Sequence, residues 1–142
     1  MILTVTGHRP PRLKGQEKEI KQWAIKQLEY LHPTLMYNGM AQDVDQIIAV
    51  AAKELNIPII CCYPFPKKYY SPIEEWIAEN NQIIFVSLQY SKTAYFIRDK
   101  FMVDHSDKIL CVWDGVAGGG TFITRQYTIQ KGKDIIDYEG LR

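Results

Sequence analysis

Lys108-Ile109-Leu110-Cys111-Val112-Trp113, followed by Asp114-Gly115-Val116-Ala117-Gly118-Gly119-Gly120-Thr121, is the stretch of this sequence that decides its fold. The first six residues form a nearly unbroken apolar run, which suits a strand covered on both faces better than one with a wet side. Three consecutive glycines then lead directly into a helical pattern at 121–131, which stops at Gly132, the place for a left-handed C-terminal cap. A strand, a glycine turn and a helix in that order make the repeating unit of a parallel α/β sheet.

The same unit recurs outward from this stretch. Apolar and β-branched segments at 2–6, 35–37, 57–63 and 83–87 precede it, and 134–138 follows. Between the first two, Ile20, Trp23, Ala24, Leu28 and Leu31 fall on one helical stripe with charges on the other face. Residues 43–55 repeat the pattern until Asn56-Ile57-Pro58 stops it. Ser71-Pro72 with Glu74 and Glu75 marks a short helix start, with Ile73, Trp76 and Ile77 as its apolar face, and 93–106 supplies another helix. The expectation is a single α/β domain over residues 1–142, a Rossmann-like three-layer sandwich whose mostly parallel sheet has five or six strands flanked by helices. Residues 63–72, with three prolines and three tyrosines, read either as a loop shaping a pocket or as a packed connector.

Composition narrows the functional classes. Hydrophobic residues at 46% and charged residues at 23% are those of a soluble globular domain, and 142 residues suffice for one core. Seventeen basic against sixteen acidic residues leave a charge of +1, so no global field gathers a polyanion, and nucleic acid is expected to be an unlikely partner. Lys67-Lys68-Tyr69-Tyr70 is the one basic-aromatic cluster suited to bases, and a solvated loop explains it equally simply. Cys61, Cys62 and Cys111 lie inside apolar runs without disulfide or zinc spacing, which points to a reducing, cytoplasmic location. No apolar stretch approaches the about 18 residues of a membrane span, so no membrane partner is expected. His8, His32 and His105 are scattered, so no metal is expected, and no resident cofactor either.

Ligands of open parallel sheets bind beyond the C-terminal strand ends, where helix N-termini and loop amides converge. Three glycine-containing loops belong there: Thr6-Gly7-His8-Arg9-Pro10, Asn38-Gly39-Met40-Ala41-Gln42-Asp43-Val44-Asp45, and the Asp114 to Thr121 loop. Singly, each is explained by chain reversal, with Asp43, Asp45 or Thr121 capping a helix. Together, on one sheet edge, they exceed what turning requires. The third loop is neither a dinucleotide fingerprint nor a Walker loop, because no Lys-Ser/Thr pair follows Gly120.

These residues resemble the SLOG superfamily, which joins DprA, the YpsA-like proteins and the LOG phosphoribohydrolases. Tyr37-Asn38-Gly39-Met40-Ala41-Gln42-Asp43-Val44-Asp45 is similar to its S-G-G/M-A-x-G-x-D segment. Arg98-Asp99-Lys100-Phe101-Met102-Val103-Asp104-His105-Ser106-Asp107, then a strand, then Gly118-Gly119-Gly120-Thr121-Phe122-Ile123-Thr124 resembles its R-[NK]-x-x-M … G-G-T arrangement. The Thr6 to Pro10 loop is typical of the YpsA-like branch. The resemblance implies that Gly118, Gly119, Gly120 and Thr121 receive a phosphate, that Arg98 reaches the same pocket, and that Gly7, Arg9, Asn38, Gly39 and Asp45 form the facing wall, with His8 and Gln42 also among the candidate ligand-binding residues. Met102, Asp114 and Thr124 complete the candidate ligand-binding set, though core packing is the simpler reading of Met102. The implied role is binding, by sensing or sequestering, of a nucleotide or nucleotide-derived signal, in a homo-oligomer with Trp23 and Trp76 as candidate contact residues.

The alternative is an enzyme. LOG phosphoribohydrolases cleave the N-glycosidic bond of a nucleoside 5′-monophosphate with a glutamate three residues beyond the threonine, and here that position is Thr124. A threonine cannot supply the carboxylate that an oxocarbenium-like step needs. The weak catalytic candidates are therefore Arg98, Asp45 and Asp114, with Asp99 a further carboxylate near the crevice. Their plainer roles are helix capping for Asp45, a turn for Asp114 and an exposed helix position for Asp99. Single-stranded DNA binding, as in DprA, is the lesser alternative.

Overall fold

In a computed structural model describing residues 1–9 and 11–142, strands and helices alternate from end to end. The order is β1 (Ile2–Gly7), α1 (Glu17–Leu31), β2 (Leu35–Asn38), α2 (Val44–Glu54), β3 (Ile59–Tyr63), α3 (Pro72–Glu79), β4 (Gln82–Phe85), α4 (Ala94–Asp104), β5 (Lys108–Val112), α5 (Gly119–Gln130) and β6 (Asp134–Tyr138). The six strands form one sheet in the order β4-β3-β2-β1-β5-β6. All five pairings are parallel, with Thr4 beside Tyr37 on one side and beside Ile109 on the other. Chain direction across the sheet reverses at β1, which lies between β2 and β5, and that reversal opens the crevice at its C-terminal end.

The two sheet faces receive alternate side chains. On β3, Cys61 joins the larger core with Leu3, Val5, Ile20, Leu28, Met36 and Ile48, while Ile60 and Cys62 turn to the other face against Met102 of α4. Burial on both faces is why these strands read as continuous apolar runs. The edge strand β4 is different: its apolar run stays half-exposed, and Phe85 is open to solvent. Burial also pushes the thiols of Cys61, Cys62 and Cys111 up to about 12, so they behave as core side chains.

Several helix ends differ from the sequence expectation. Helix α5 begins two residues early, within the glycines, with Gly118 at its N-cap and Thr121 already inside, so Thr121 does not cap it. Gly132 does take the left-handed conformation after its end (φ +67°). At α2 the N-cap is Asp43, whose side chain makes no capping bond, and Asp45 lies within the helix. Helix α3 is capped as expected, the Ser71 hydroxyl accepting from the Glu74 amide with Pro72 in the first turn. Its buried face is not the expected one, because Ile73 and Trp76 are exposed while Glu74, Ile77 and Ala78 are inside. Glu74 is turned inward because its carboxylate takes the Tyr63 hydroxyl (2.6 Å), the Tyr70 amide (2.7 Å) and Gln46 Nε2 (3.2 Å). The 63–72 segment is thus pinned to α2, α3 and β3. Of the two tryptophans proposed for contacts between copies, Trp23 packs edge-on to Tyr138 at 5.5 Å against the core, whereas Trp76 stays exposed.

Candidate functional site

Strand β1 ends beside the N-terminus of α2, and only a glycine allows that approach: a Cβ on Gly7 would lie 2.6 Å from Val44 Cβ. The loop that follows carries His8, Arg9, Pro11 and Arg12 over the crevice; Pro10 lies outside the described residues. Arg12 ties this loop to the one after β5. Its Nε and Nη2 donate to the two carboxylate oxygens of Asp114, both at 2.8 Å, and further bonds reach the carbonyls of Val116 and Gly118. Asp114 also accepts from its neighbour's amide at Val116, and these bonds, that from Arg12 foremost, hold its carboxyl well below the usual range. Asp114 therefore positions Arg12, its carboxylate turned to that guanidinium and outside the cavity lining.

His8 is buried, and burial followed by the nearby Arg12 charge lowers its pKa against the opposing pull of Asp114. Its Nε2 lies 3.2 Å from both the Asp114 amide nitrogen and the Asp114 carboxylate oxygen Oδ1, which ties the ring to the loop after β5. Arg9 is exposed, and its guanidinium takes no partner among the described residues.

The β2–α2 loop is built by Asn38. Its Nδ2 donates to the Asp45 carbonyl and its Oδ1 accepts from the Met40 amide, each at 2.8 Å, stabilising a turn in which Met40 and Asp43 both have positive φ. Asn38 is fully buried and acts through the turn it shapes, not as a pocket wall. Gly39 admits Arg98: a Cβ there would sit 2.8 Å from Arg98 Nη1. Gln42 faces a separate depression with Asp43, Gln46 and Tyr70.

Arg98, only 5% exposed, reaches in from α4. Its Nη1 donates to the carbonyls of Gly39 (2.7 Å) and Cys62 (3.0 Å), and its Nε to Asp99 Oδ1 (2.7 Å). The remaining nitrogen, Nη2, takes no partner among the described residues. Asp99 Oδ2 accepts from the Thr124 hydroxyl at 3.3 Å, which places a carboxylate beside the position where the resemblance implied one. Asp99 lines the pocket while Thr124 is buried behind it. Met102, one turn on from Arg98, packs in the core against Ile60 and Cys62, the simpler of its two readings.

These groups enclose a cavity of about 440 Å³. Of the sequence-expected residues, Gly7, His8, Arg9, Asp45, Arg98, Gly120 and Thr121 line it. Gly118 and Gly119 lie just outside, where they shape the turn with φ of +102° and +87° and face Arg12. Sequence reasoning missed Arg12 and Tyr95, while Asp99, expected near the crevice, lines it. Arg12 had a signal, a second arginine in the loop already carrying Arg9, whereas Tyr95 is brought in only by the fold.

Two features make the cavity suited to anions. Helix α5 begins there without a side-chain cap, so its first amides, near Gly120 and Thr121, present N–H groups without a partner among the described residues and the positive end of the helix dipole. The charge balance is also favourable. Asp45 is buried, with its Oδ2 accepting the Ala41 amide at 3.1 Å. Burial pushes its carboxyl up to about 7, with Asp99 adding to the rise and Arg98, the Ala41 amide and Arg9 opposing it. Arg9, Arg12 and Arg98 against Asp99 and Asp114 leave one positive charge in excess while Asp45 holds its proton, and none once it ionises.

Among the described residues no cluster of His, Cys, Asp and Glu is arranged to hold a metal ion, and no helix is long and apolar enough to cross a membrane. No protein-family model matches the sequence, and no curated protein matches it. Solved structures do. DNA processing protein A (DprA) from Streptococcus pneumoniae superposes with a TM-score of 0.68 at 16% identity, over 97% of this chain and 50% of that one. DprA from Helicobacter pylori, whose structure is described in terms of a single-stranded DNA binding mode, gives 0.72 at 18% identity over 96% and 64%. The molybdenum cofactor carrier protein from Chlamydomonas reinhardtii gives 0.68 at 15% identity over 96% and 75%. This chain spans about half the length of the S. pneumoniae protein. The expectation that nucleic acid is an unlikely partner finds no support in these neighbours. From its all-parallel six-stranded sheet and these superpositions, the chain has the three-layer, Rossmann-like α/β fold of these structures.

Proposed function

We propose that this chain binds a nucleotide or nucleotide-derived small molecule by its phosphate at the C-terminal edge of the sheet, and so senses or sequesters it. The observation that carries this reading is the convergence of the uncapped α5 N-terminus with Arg9, Arg12 and Arg98 on one cavity. Backbone amides at a helix start and a guanidinium fork are complementary to phosphate oxygens. The cavity volume suits a small molecule, and among its neighbours in fold one is named as a cofactor carrier.

Arg9 gives the cleanest test, because it is exposed and holds nothing together. Arg9→Ala is expected to weaken a phosphate-bearing nucleotide about tenfold in calorimetry, the loss of one charge-assisted contact. Its denaturation midpoint should match wild type. Equal affinity in the two proteins would count against phosphate capture by this loop.

Asp45 adds a pH dependence. A carboxyl whose folded-state pKa stands above its unfolded value costs no stability below the ordinary 3.8, and its penalty grows with rising pH until it is complete above about 7. The same ionisation cancels the excess positive charge of the cavity. Anion affinity is therefore expected to fall as pH rises through about 7 in wild type and to stay flat in Asp45→Asn. Sulfate is the suitable probe, since its own charge is constant there; a flat wild-type profile would contradict the assignment.

A second reading, N-glycosidic hydrolysis of a nucleoside 5′-monophosphate, is favoured by one observation: Asp99 and Asp45 both bring carboxyl groups into the cavity. It is the lesser reading because Asp99 is held by Arg98 and Thr124. Ligand recovered intact from heat-denatured protein fits binding, whereas free base and ribose phosphate accumulating in solution would fit hydrolysis.

A further inference from the structure

Tyr95, in the first turn of α4, lines the cavity yet is 38% exposed. It does not stand alone. Phe65, from the segment pinned by Glu74, meets the Tyr95 ring edge-on at 5.7 Å and 85°, and meets Tyr90, from the β4–α4 connection, at 5.7 Å and 88°. Three parts of the chain thus form one aromatic cluster, of which Tyr95 lines the polar cavity, and Tyr90 remains 67% exposed. Single exposed aromatics need no explanation, but a braced group beside an anion pocket is a different case.

The cations nearby complete the picture. Arg98 Cζ lies 5.7 Å and Lys67 Nζ 5.8 Å from the Tyr95 ring centre. Arg98 is fixed by its bonds to Gly39, Cys62 and Asp99, whereas Lys67 rides on a flexible stem that a ligand can displace. Phosphate-complementary groups within the cavity, and an aromatic ring in its wall near the opening, match a ligand with a phosphate at one end and a flat heterocycle at the other.

We propose that Tyr95, braced by Phe65, is the stacking platform for a nucleobase whose phosphate sits at the α5 N-terminus. The inference rests on the phosphate reading above and adds which end of the ligand confers selectivity. Its shared chemistry is a base joined through a sugar to a phosphate, supplied either by a free nucleotide or by single-stranded DNA.

The test compares inorganic phosphate, ribose 5-phosphate, adenosine 5′-monophosphate and a short oligothymidylate on wild type, Tyr95→Ala and Tyr95→Phe. From the strength of stacking on an aromatic ring, the nucleotide is expected to bind wild type about fivefold to a hundredfold tighter than ribose 5-phosphate. Tyr95→Phe should keep that ratio, and Tyr95→Ala should bring it close to one. A ratio near one in wild type, or a ratio undiminished in Tyr95→Ala, overturns the platform while leaving the phosphate pocket standing. Silence toward every probe, inorganic phosphate included, overturns both. Oligothymidylate binding that is lost in Tyr95→Ala would identify a strand as the source of the base; a silent oligonucleotide beside a bound mononucleotide would identify a free nucleotide, and both results support the platform.

Discussion

Arg98→Ala is expected to cost the fold about 3–5 kcal/mol, the penalty for breaking a buried ion pair from one side. The side chain is almost wholly enclosed and makes bonds in three directions, to the carbonyls of Gly39 and Cys62 and to Asp99. Its loss leaves two carbonyls without their donor and the Asp99 carboxylate without its cation. It also removes a charge that holds the Asp45 carboxyl down, so Asp45 should rise further and the β2–α2 loop should loosen. Nucleotide binding should disappear with it, because Nη2 is the atom Arg98 has left to offer the cavity. Arg98→Lys should not rescue, since a point charge cannot reproduce a planar fork. Urea denaturation is the measurement, and a loss below about 1 kcal/mol would mean that the buried network is not what holds the loop.

The second large effect is expected far from the cavity's charges. Glu74→Ala removes the acceptor for the Tyr63 hydroxyl, the Tyr70 amide and Gln46. The Tyr63 hydroxyl is then a buried donor left unpaired, at about 1–3 kcal/mol, and the half-buried Tyr70 amide and Gln46 add less, so the variant should lose about 2 kcal/mol or more. Because Glu74 also anchors the segment carrying Phe65, the Tyr95 platform should lose its brace. Faster proteolysis within 63–72, together with a lowered denaturation midpoint, is the expected result; an unchanged midpoint would show that the segment is held by other contacts.

Glu74 also illustrates what the sequence conceals. As one of two acids after Ser71-Pro72 it reads as a helix-dipole residue on a wet face, and its neighbours Ile73 and Trp76 read as the packed side. The fold reverses this because three donors from separate segments need one acceptor, a demand that no local pattern displays. Elements governed by local physics were legible: the apolar strands, the Ser71 cap, the Gly132 terminus and the three loops on one sheet edge. The loop after β1 was half legible. Arg9 was expected at the crevice, but Arg12 depends on Asp114, more than a hundred positions away in sequence. Asn38, Gln42, Met102, Asp114 and Thr124 were in the right neighbourhood and facing elsewhere, because a motif fixes where the backbone goes and only packing decides where each side chain points. Tyr95 and Asp99 enter the cavity for the same reason.

The most direct test of the central claim is calorimetric titration of wild-type protein with nucleoside monophosphates, ADP-ribose derivatives and cyclic dinucleotides. Saturable binding at one site per chain, competed by inorganic phosphate, is the predicted result for at least one of them. No heat from any member of the panel, with no competition by phosphate, would contradict the claim that the glycine turn and its arginines form an anion receptor.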